Sequence, residues 1–367
     1  MQVSDRPRHS RKSERGGRDG SDVSEHSSYR IIMVAGRPVL ALPALSRRSE
    51  LWGLSRYQPV TRKKYWFRTI LTLALYLHLD RFLGPRRTSP FPPEEDFGFE
   101  QWLLRARAAL AAPEALATII WTPRADRKRV YVHLMDRRGK AIAFCKIAVD
   151  EPSRASLSRE IAALTTLRDL ELATLKIPRL LHHEACAGYC YAAFEPMSPS
   201  AKVTRLPWSA LAPAATQLSG QIRVIDQAGL ARQKWWQRFN AQRASFELAF
   251  LKAIDRAVGR GIAVCRAHGD FVVENVYVDG STIWLCDWEF SSDAAPRRSD
   301  EIAYYLSSHF ARCIAHPREA LGEIFRQLDW QAYPERVGEV AMALAFLASG
   351  AGGCAEFVAA HWYLPEP

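Results

Sequence analysis

The chain has 367 residues, of which 48% are hydrophobic and 24% are charged. This composition excludes a chain that is disordered throughout, and the length fits about two to three domains or one two-lobed enzyme with extra segments. Lysine and arginine number 50 against 39 acidic residues, a formal net charge of +11, which favours anionic partners such as phosphates, nucleic acid or membrane surfaces.

The cysteine content and the lack of long apolar runs indicate which cellular compartment to expect for the protein. The seven cysteines are scattered, and an odd, unpatterned set is typical of reduced thiols. The charged first thirty residues lack a secretory-signal core, and the apolar stretch 31–46 is interrupted by Arg37, Pro38 and Pro43. No run reaches the roughly 18 apolar residues of a membrane span. We therefore expect a cytoplasmic protein that is able to be peripheral to the membrane.

The first hundred residues differ in composition from the rest. Residues 1–28 have almost nothing to bury, so a disordered polar tail is predicted. Residues 29–98 form a basic extension in which the segment 46–87 holds ten Lys or Arg against two acids. Apolar side chains at near-helical spacing over 65–83 predict an amphipathic helix. This helix either lies on an anionic membrane or ligand, or docks on the protein body with solvated basic ends.

From residue 99 the pattern is that of a compact α+β unit. Alternation and turn residues predict strands, and a helix with one apolar face falls among them. The predicted elements are a helix over 100–112, strands over 118–121, 130–135 and 141–147, a helix over 157–167 and a strand over 189–194.

Beyond Pro196 the chain is mostly helical, apart from a short hairpin at 276–286. The two parts form a small antiparallel-sheet lobe with one helix, residues 99–195, and a larger, mostly helical lobe, residues 196–367. The predicted fold class is therefore α+β with two lobes.

The most informative motif is His-Gly-Asp-Phe-x₃-Asn, which contains Asp270 and Asn275 and is followed by a hairpin that ends at Asp287. Asp-Gly between two apolar runs is a strong hairpin signal, so Asn275 and Asp287 should meet at its open end, about 5 Å apart. Two carboxylates and an amide at one place suit Mg²⁺, whose other ligands would be substrate phosphates. The alternative is a surface hairpin with ordinary Asp and Asn caps.

This motif resembles the aminoglycoside phosphotransferase and choline kinase branch of the protein-kinase-like fold. Gly269 stands where protein kinases usually have arginine, and Asp287-Trp288-Glu289 stands where they have Asp-Phe-Gly. These differences indicate a small-molecule kinase. The resemblance covers roughly residues 100–350 and implies ATP and Mg²⁺ as cofactors.

The resemblance also implies roles for the residues of the motif. Asp270 would orient the acceptor hydroxyl and accept its proton, while Asn275 and Asp287 would hold Mg²⁺. Asp300 resembles the aspartate that braces the catalytic loop in this family, although it could equally be the N-cap of a helix.

The nucleotide site is implied in the same way. Lys146, at the end of an apolar strand, matches the lysine that holds the α- and β-phosphates. Glu160 matches the acid that pairs with it, although Glu151 is also available. Glu195 and Met197 resemble the hinge between the lobes, whose backbone would face the adenine, unless Met197 is only part of the core.

One segment departs from the resemblance. The loop at 122–129 should cover the phosphates, yet it contains no glycine to let the backbone approach them. Arg124, Arg127 and Lys128 would hold phosphate by charge instead, or the loop covers nothing.

The predicted function is an ATP- and Mg²⁺-dependent phosphotransferase acting on a hydroxyl of a small molecule, a sugar or glycan precursor, or an aminoglycoside-type acceptor. The alternative is a catalytically weak, pseudokinase-like binding module that associates with a membrane surface through residues 46–87. A membrane or nucleic-acid binder built around that segment is a third reading, in which nucleic acid is the less favoured partner. The acceptor region, 206–256 and 305–350, is not distinctly acidic and selects no acceptor.

Overall fold

The computed structural model describes residues 28–57, 59, 62–92, 96–121, 128–170, 172–198, 200–327, 336–350 and 353–362. The tail predicted over 1–28 lies outside the described residues except for Ser28, and so do residues 122–127 of the glycine-free loop. Among the described helices, none combines the length and the apolar character needed to cross a bilayer.

The described strands fall into three sheets, the largest of which forms the first lobe. In chain order the strands are β1 (Tyr29–Val34), β2 (Arg37–Pro43), β3 (Arg86–Arg87), β4 (Leu116–Trp121), β5 (Arg129–Met135), β6 (Ala141–Ala148), β7 (Leu175–Lys176), β8 (Leu180–Cys186), β9 (Tyr189–Phe194), β10 (Lys202–Val203), β11 (Arg223–Ile225), β12 (Ile262–Ala267), β13 (Val276–Asp279), β14 (Thr282–Leu285) and β15 (Ser292–Pro296).

The helices belong mostly to the second lobe. They are α1 (Arg47–Arg56), α2 (Arg62–Tyr76), α3 (Phe99–Ala109), α4 (Glu151–Leu167), α5 (Trp208–Ser219), α6 (Gln227–Ala231), α7 (Lys234–Ala241), α8 (Leu248–Arg260), α9 (Ser299–Ser308), α10 (Phe310–Ala315), α11 (Pro317–Gln327), α12 (Arg336–Ala348) and α13 (Gly353–Ala360).

The sheet of the first lobe is antiparallel, with the strand order β3-β1-β2-β4-β5-β6-β9-β8. Successive side chains of a strand point to opposite faces, so each face of the sheet has its own core. Helix α3 covers one face, where Trp102 is buried with Val132 and Cys145. Helix α4 covers the other face, where Leu157 and Leu164 are buried with Ala192 of β9.

The basic extension lengthens this sheet. Strand β2 pairs with β4 through Leu40 opposite Ile120, and β1 pairs with β2. The turn between β1 and β2 has positive φ at both Ala35 (50°) and Gly36 (78°), as a two-residue hairpin turn requires. The interrupted apolar stretch at 31–46 is therefore largely a β-hairpin, which the sequence reading did not predict.

Helices α1 and α2 pack on the sheet next to this added hairpin. Leu54 of α1 and Leu71 and Leu75 of α2 are buried together with Leu40 and Leu42 of β2. The shared apolar core explains why the two helices are fixed to the sheet. One face of α2 therefore docks on the protein body, as one of the two alternatives for the amphipathic segment predicted.

The predicted bounds of that helix, 65–83, differ from those of α2. His78 takes a left-handed φ of 62°, the Leu79 N–H donates to the Ala74 carbonyl and the His78 N–H donates to the Leu75 carbonyl. These bonds form a Schellman motif that ends the helix. The apolar spacing continues past His78 without a Gly or Pro, so the pattern alone predicted too late an end.

The second lobe is mostly helical. Residues 340–348 of α12 are all buried, in the core that α7, α8, α9 and α13 share with this helix. The hairpin β13–β14 lies between the lobes, where β14 also pairs with β7 and β13 pairs with β10. A small sheet lobe followed by a larger helical lobe confirms the predicted two-lobed α+β fold class.

The contact of α1 with the β5–β6 turn is testable. A Cβ on Gly139, in that turn, would lie 2.5 Å from Cγ of Trp52 on α1, whereas a Cβ on Gly188, in the β8–β9 turn, meets nothing within 4 Å. Both glycines have similar positive φ, 82° and 89°. We expect Gly139→Ala to lower the free energy of unfolding by about 3 kcal/mol and Gly188→Ala by about 1 kcal/mol, measured by urea denaturation. Equal losses would mean that α1 does not rest on this turn.

Candidate active site

A cleft of about 380 Å³ lies between the sheet and the second lobe. Its lining includes side chains from β6, α4, the 195–197 segment and both ends of the β13–β14 hairpin. Among these are Lys146, Glu160, Glu195, Met197, Asn275 and Asp287. Its volume lies within the range of small-molecule sites.

Lys146 links three elements at the inner end of the cleft. Its Nζ lies 2.8 Å from both carboxylate oxygens of Glu160 on α4 and 2.7 Å from Oδ1 of Asp287. Lys146 and Glu160 are buried, and the Asp287 side chain is 30% exposed. Glu151, the other acid available in the sequence, pairs instead with Arg154.

Burial and charge oppose each other in this group. Burial would lower the pKa of Lys146, but the Asp287 and Glu160 carboxylates raise it well above its ordinary value. Burial raises the pKa of Glu160, and the nearby Asp287 carboxylate adds to that effect. Burial would also raise the pKa of Asp287, but the Lys146 ammonium outweighs it and holds this pKa below the ordinary value. The Lys146 ammonium therefore favours the ionised form of Asp287, which is also the more exposed of the two carboxylates.

Asn275 fixes Asp270, the aspartate of the His-Gly-Asp motif. Its Nδ2 donates to the backbone carbonyl of Asp270 at 2.9 Å and to Oδ2 of the same residue at 3.0 Å. The Cys286 N–H donates to the Asn275 carbonyl at 3.1 Å, which closes the open end of the hairpin next to Asp287. Asp287 has a φ of 70°, a conformation that is uncommon for a non-glycine residue and turns the chain into the cleft.

His268 joins this loop to the hairpin. Its Nδ1 accepts the Asp270 N–H at 3.2 Å, so Nε2 carries the proton that is donated to the Cys286 carbonyl at 3.0 Å. Burial lowers the pKa of His268 to about 4, which keeps the ring neutral at physiological pH. A neutral ring is what this pair of bonds requires, because one nitrogen accepts and the other donates.

Asp300 braces the same loop from α9. Its two carboxylate oxygens accept the N–H groups of His268 and Gly269, each at 2.9 Å. The N-cap position of α9 is Arg298, so the alternative role of Asp300 as the N-cap is not the one observed. Gly269 has a φ of 81°, and a Cβ there would lie 2.2 Å from the carbonyl oxygen of Phe290. Only glycine fits at that position of the motif.

A second buried ion pair, which was not predicted from the sequence, lies beside the cleft. Glu289 accepts hydrogen bonds through Oε2 from Arg129 of β5 and from Ser156 of α4, and its backbone carbonyl accepts from Arg159. Arg129 and Glu289 are both buried. Glu289 is visible in the sequence as the third residue of Asp-Trp-Glu. Its partner Arg129 lies 160 residues away, so no local pattern connects the two. Glu289 therefore ties the segment that carries Asp287 to both β5 and α4.

The extension also contributes to the cleft, which the sequence did not predict. Arg56 and Tyr57 at the end of α1 and Lys64 of α2 are among its lining residues. An Arg56 guanidinium N–H donates to the Gly139 carbonyl, which fixes this side chain against the β5–β6 turn.

The segment between the lobes places Glu195 and Met197 in the lining, but not through the Glu195 carboxylate. That carboxylate pairs with Lys176 and Arg179, and the Glu195 N–H donates to the Arg179 carbonyl at 2.8 Å. Met197 Sδ lies 3.5 Å from Sγ of Cys286, so this side chain bridges the segment and the hairpin.

The oxygen donors at the cleft are of the type that Mg²⁺ prefers. Within the described part of the chain, no group of three or more His, Cys, Asp or Glu side chains could hold a metal ion. Asn275 and Asp287 offer one amide and one carboxylate, and Mg²⁺ commonly takes few protein oxygens and completes its shell with water and phosphate. The two side chains therefore fit this ion only together with a ligand.

The burial of the Asp300 carboxylate can be tested by pH. Burial raises the pKa of Asp300 to about 6 from an ordinary value of 3.8, although two backbone N–H groups oppose the shift. A raised carboxyl pKa adds stability below the unfolded pKa and loses it as the pH rises through the folded pKa. The stability of the wild type relative to Asp300→Asn should therefore increase by up to about 3 kcal/mol from about pH 8 to about pH 4.

This difference is measured as the free energy of unfolding of each protein in urea at each pH. Asp293→Asn removes a carboxylate that is 62% exposed and controls for the loss of one charge. If the difference in the free energy of unfolding between wild type and Asp300→Asn stayed constant over this pH range, the carboxyl pKa of Asp300 would not be raised by burial.

Comparisons with known proteins bear on the fold. No family model matches the chain, and no curated protein matches it. Solved structures similar to it include an aminoglycoside-3'-phosphotransferase of type VIII, at 16% identity and a TM-score of 0.42 over 68% of this chain and 100% of the other. Another is a ternary complex of APH(2'')-IIa with streptomycin and ATP, at 13% identity and a TM-score of 0.40 over 68% of this chain and 86% of the other. A third is a GDP complex of aminoglycoside 2'-phosphotransferase-IIIa, at 9% identity and a TM-score of 0.41 over 72% of this chain and 100% of the other. Two of these three structures are described as aminoglycoside phosphotransferases.

Proposed function

We propose that the protein is a kinase that transfers the terminal phosphoryl group of a nucleoside triphosphate to a hydroxyl of a small molecule. The observation that supports this most is that the buried Lys146–Glu160 pair, Asp287 and Asn275 line one cleft, and that Asn275 also bonds the carboxylate of Asp270. Phosphoryl transfer depends mainly on positioning and on neutralising charge, and these groups supply both.

The nucleotide would lie between the 195–197 segment and Lys146. The Glu195 N–H is already bonded within the protein, so its carbonyl and the backbone of Met197 are the groups expected to face the base. Lys146 would exchange its bond with Asp287 for phosphate oxygens while Glu160 keeps its ammonium in place. Because Lys146 keeps its contact with Glu160 during this exchange, its buried ammonium is not left without a partner.

Asn275 and Asp287 would hold Mg²⁺. When bound, the ion neutralises phosphate charge, which is the chemistry it supplies in kinases. Asn275 is suited to bind the ion because its Nδ2 donates to Asp270. Its Oδ1, the acceptor atom of the amide, then points away from Asp270. Asp287 is held ionised by Lys146, so it can serve as a ligand at neutral pH.

Asp270 would act on the acceptor. The hydroxyl oxygen of the acceptor forms a bond to the terminal phosphorus, the bond to the bridging oxygen of the leaving nucleoside diphosphate breaks, and the hydroxyl proton passes to the Asp270 carboxylate. Asn275 holds Oδ2 of Asp270 at 3.0 Å, and Asp300 holds the loop on which it lies. The aspartate is therefore oriented before an acceptor arrives.

The acceptor class is a hydroxyl compound, and sugars are the first group to screen. The acceptor region is not distinctly acidic and the chain carries a net charge of +11, which does not favour a strongly cationic acceptor. Both ATP and GTP belong in the screen. A binding module without transfer, the alternative, would bind nucleotide and leave every acceptor unchanged.

The nucleotide site predicts a magnesium-dependent stabilisation. ATP with Mg²⁺ at about 100 times its dissociation constant should stabilise the wild type by about 2.7 kcal/mol, seen as a rise in the thermal unfolding temperature. In Asp287→Ala the additional effect of Mg²⁺ should disappear, because the ion loses its carboxylate. Asp279→Ala, on the exposed turn of the same hairpin, should respond as the wild type does. No shift with ATP or GTP in the wild type would contradict a nucleotide site.

The proton acceptor predicts a separation of binding from turnover. Asp270→Ala should keep the magnesium-dependent stabilisation by nucleotide, because neither Lys146 nor Asp287 is altered. Its phosphoryl transfer to any acceptor found should fall at least about a hundredfold, the usual contribution of a general base. Turnover is measured as nucleoside diphosphate release that depends on the acceptor. A variant with the activity of the wild type would remove Asp270 from the mechanism.

A further inference from the structure

Helix α2 exposes a line of large apolar side chains. Trp66, Ile70, Leu73 and Leu77 follow one another at helical spacings of four, three and four residues, and we name them the outer stripe. Their exposed fractions are 57%, 62%, 56% and 58%. The Leu77 N–H donates to the Leu73 carbonyl, so Leu77 continues the helix by one residue. At about 100° per residue, the stripe occupies an arc of about 60°.

The outer stripe is not needed to hold α2 in place. Leu71 and Leu75 lie on the opposite side of the helix, where they are 5% and 0% exposed in the core shared with β2 and α1. A helix that docks on its own protein normally turns polar residues to solvent on its other side. Helix α2 instead has a second apolar side, and contiguous exposed apolar surface of this kind marks an interaction site.

The surroundings of the outer stripe are positively charged. Arg62 and Lys63 are exposed in the first turn of α2, and the segment 46–87 has ten basic residues against two acids. Glu50, one of these two acids, is 1% exposed and bonded to Arg30 at 3.0 Å, so it presents no negative charge at the surface. The partner of the stripe therefore has an apolar layer and a negative charge next to it.

We propose that α2 is a docking surface for an anionic lipid bilayer. The outer stripe enters the boundary between headgroups and acyl chains, while Arg62 and Lys63 contact the lipid phosphates. Bilayers with anionic lipids provide both elements at the required depth, and basic side chains near the surface each add to binding. This inference concerns a surface outside the catalytic groups and does not rest on the proposed kinase activity.

Two other occupants of the stripe fit less well. A second copy of the chain would bring two segments 46–87 together, each with a net charge of +8 if all its charges are counted, and like charges would oppose that contact. Residues 1–27 contain only Met1, Val3 and Val23 as large apolar residues, which is too few to cover the stripe. A bilayer is the occupant that matches both the charge and the apolar area.

The docking surface adjoins the cleft. Lys64 of α2 and Arg56 and Tyr57 at the end of α1 line the cleft, while the outer stripe faces away from the core on the same helix. Helix α2 therefore contributes to the cleft on one side and presents the outer stripe on another.

The test is co-sedimentation of the full chain with vesicles of phosphatidylcholine alone and with vesicles that also contain phosphatidylglycerol. We expect binding to the anionic vesicles that weakens as salt is added. Ile70→Glu combined with Leu73→Glu should lower the partition coefficient at least about tenfold, because both side chains would have to be buried with a charge. Arg62→Gln combined with Lys63→Gln should lower it on the order of tenfold.

Leu104→Glu combined with Leu248→Glu is the matched control. These residues are 62% and 67% exposed, and they lie on α3 and α8. The control should bind as the wild type does, and all variants should keep the thermal unfolding temperature of the wild type. Absence of binding to anionic vesicles at low salt would overturn the proposal.

Three further results would also overturn it. Equal loss of binding in the control and in the Ile70→Glu, Leu73→Glu variant would show that added negative charge, and not the stripe, sets the affinity. Salt-sensitive binding to DNA in the absence of vesicle binding would assign the basic segment to nucleic acid. Dimerisation by sedimentation velocity that the stripe variant abolishes, again without vesicle binding, would assign the stripe to a second copy.

Discussion

The cleft is organised by a single buried ammonium group. Nζ of Lys146 on β6 contacts Glu160 on α4 and Asp287 at the end of the hairpin, so one charge connects the sheet, its helix and the second lobe. Removing the Lys146 ammonium would leave two carboxylates at the cleft without their cation, which is costly in a low-dielectric region, whereas removing one carboxylate leaves the ammonium paired with the other. The relative placement of the lobes near the cleft therefore depends on this charge as well as on apolar packing. The apolar core on the α4 face of the sheet continues into the second lobe, where Phe271 and Trp288 are buried together with Leu157.

A second layer of polar contacts makes this arrangement rigid. Glu289 follows Asp287 by two residues and bonds to β5 and α4, while Asp300 holds the preceding loop through two backbone N–H groups. Each of these carboxylates has its hydrogen-bonding capacity met by groups from distant parts of the chain. The strained φ of Asp287 persists because contacts on both sides of it over-determine the backbone. The loop and the hairpin end are thus preorganised before any ligand binds.

The sequence predicted those features that depend on local pattern. The strand ending at Lys146, the helix carrying Glu160 and the Asp-Gly hairpin that brings Asn275 to Asp287 each have a period or a turn signal within a few residues. The β1–β2 hairpin was not predicted, because its turn is Ala35-Gly36 and its strands are interrupted by proline. The Arg129–Glu289 pair was missed for another reason, since nothing local distinguishes partners so far apart. Lining of the cleft by Arg56 and Lys64 likewise depends on how α1 and α2 pack.

The added hairpin also changes how the sheet ends. Without β1 and β2, the backbone of β4 would form a long edge with unpaired N–H and C=O groups, open to pairing with another chain. With them, the outermost strand on that side is β3, which consists only of Arg86 and Arg87, both exposed. Strand β3 covers β1 at Tyr29 and Arg30, and its two cations disfavour pairing of this part of the edge with another copy. The same basic segment that surrounds the outer stripe therefore also shortens and charges the open edge of the sheet.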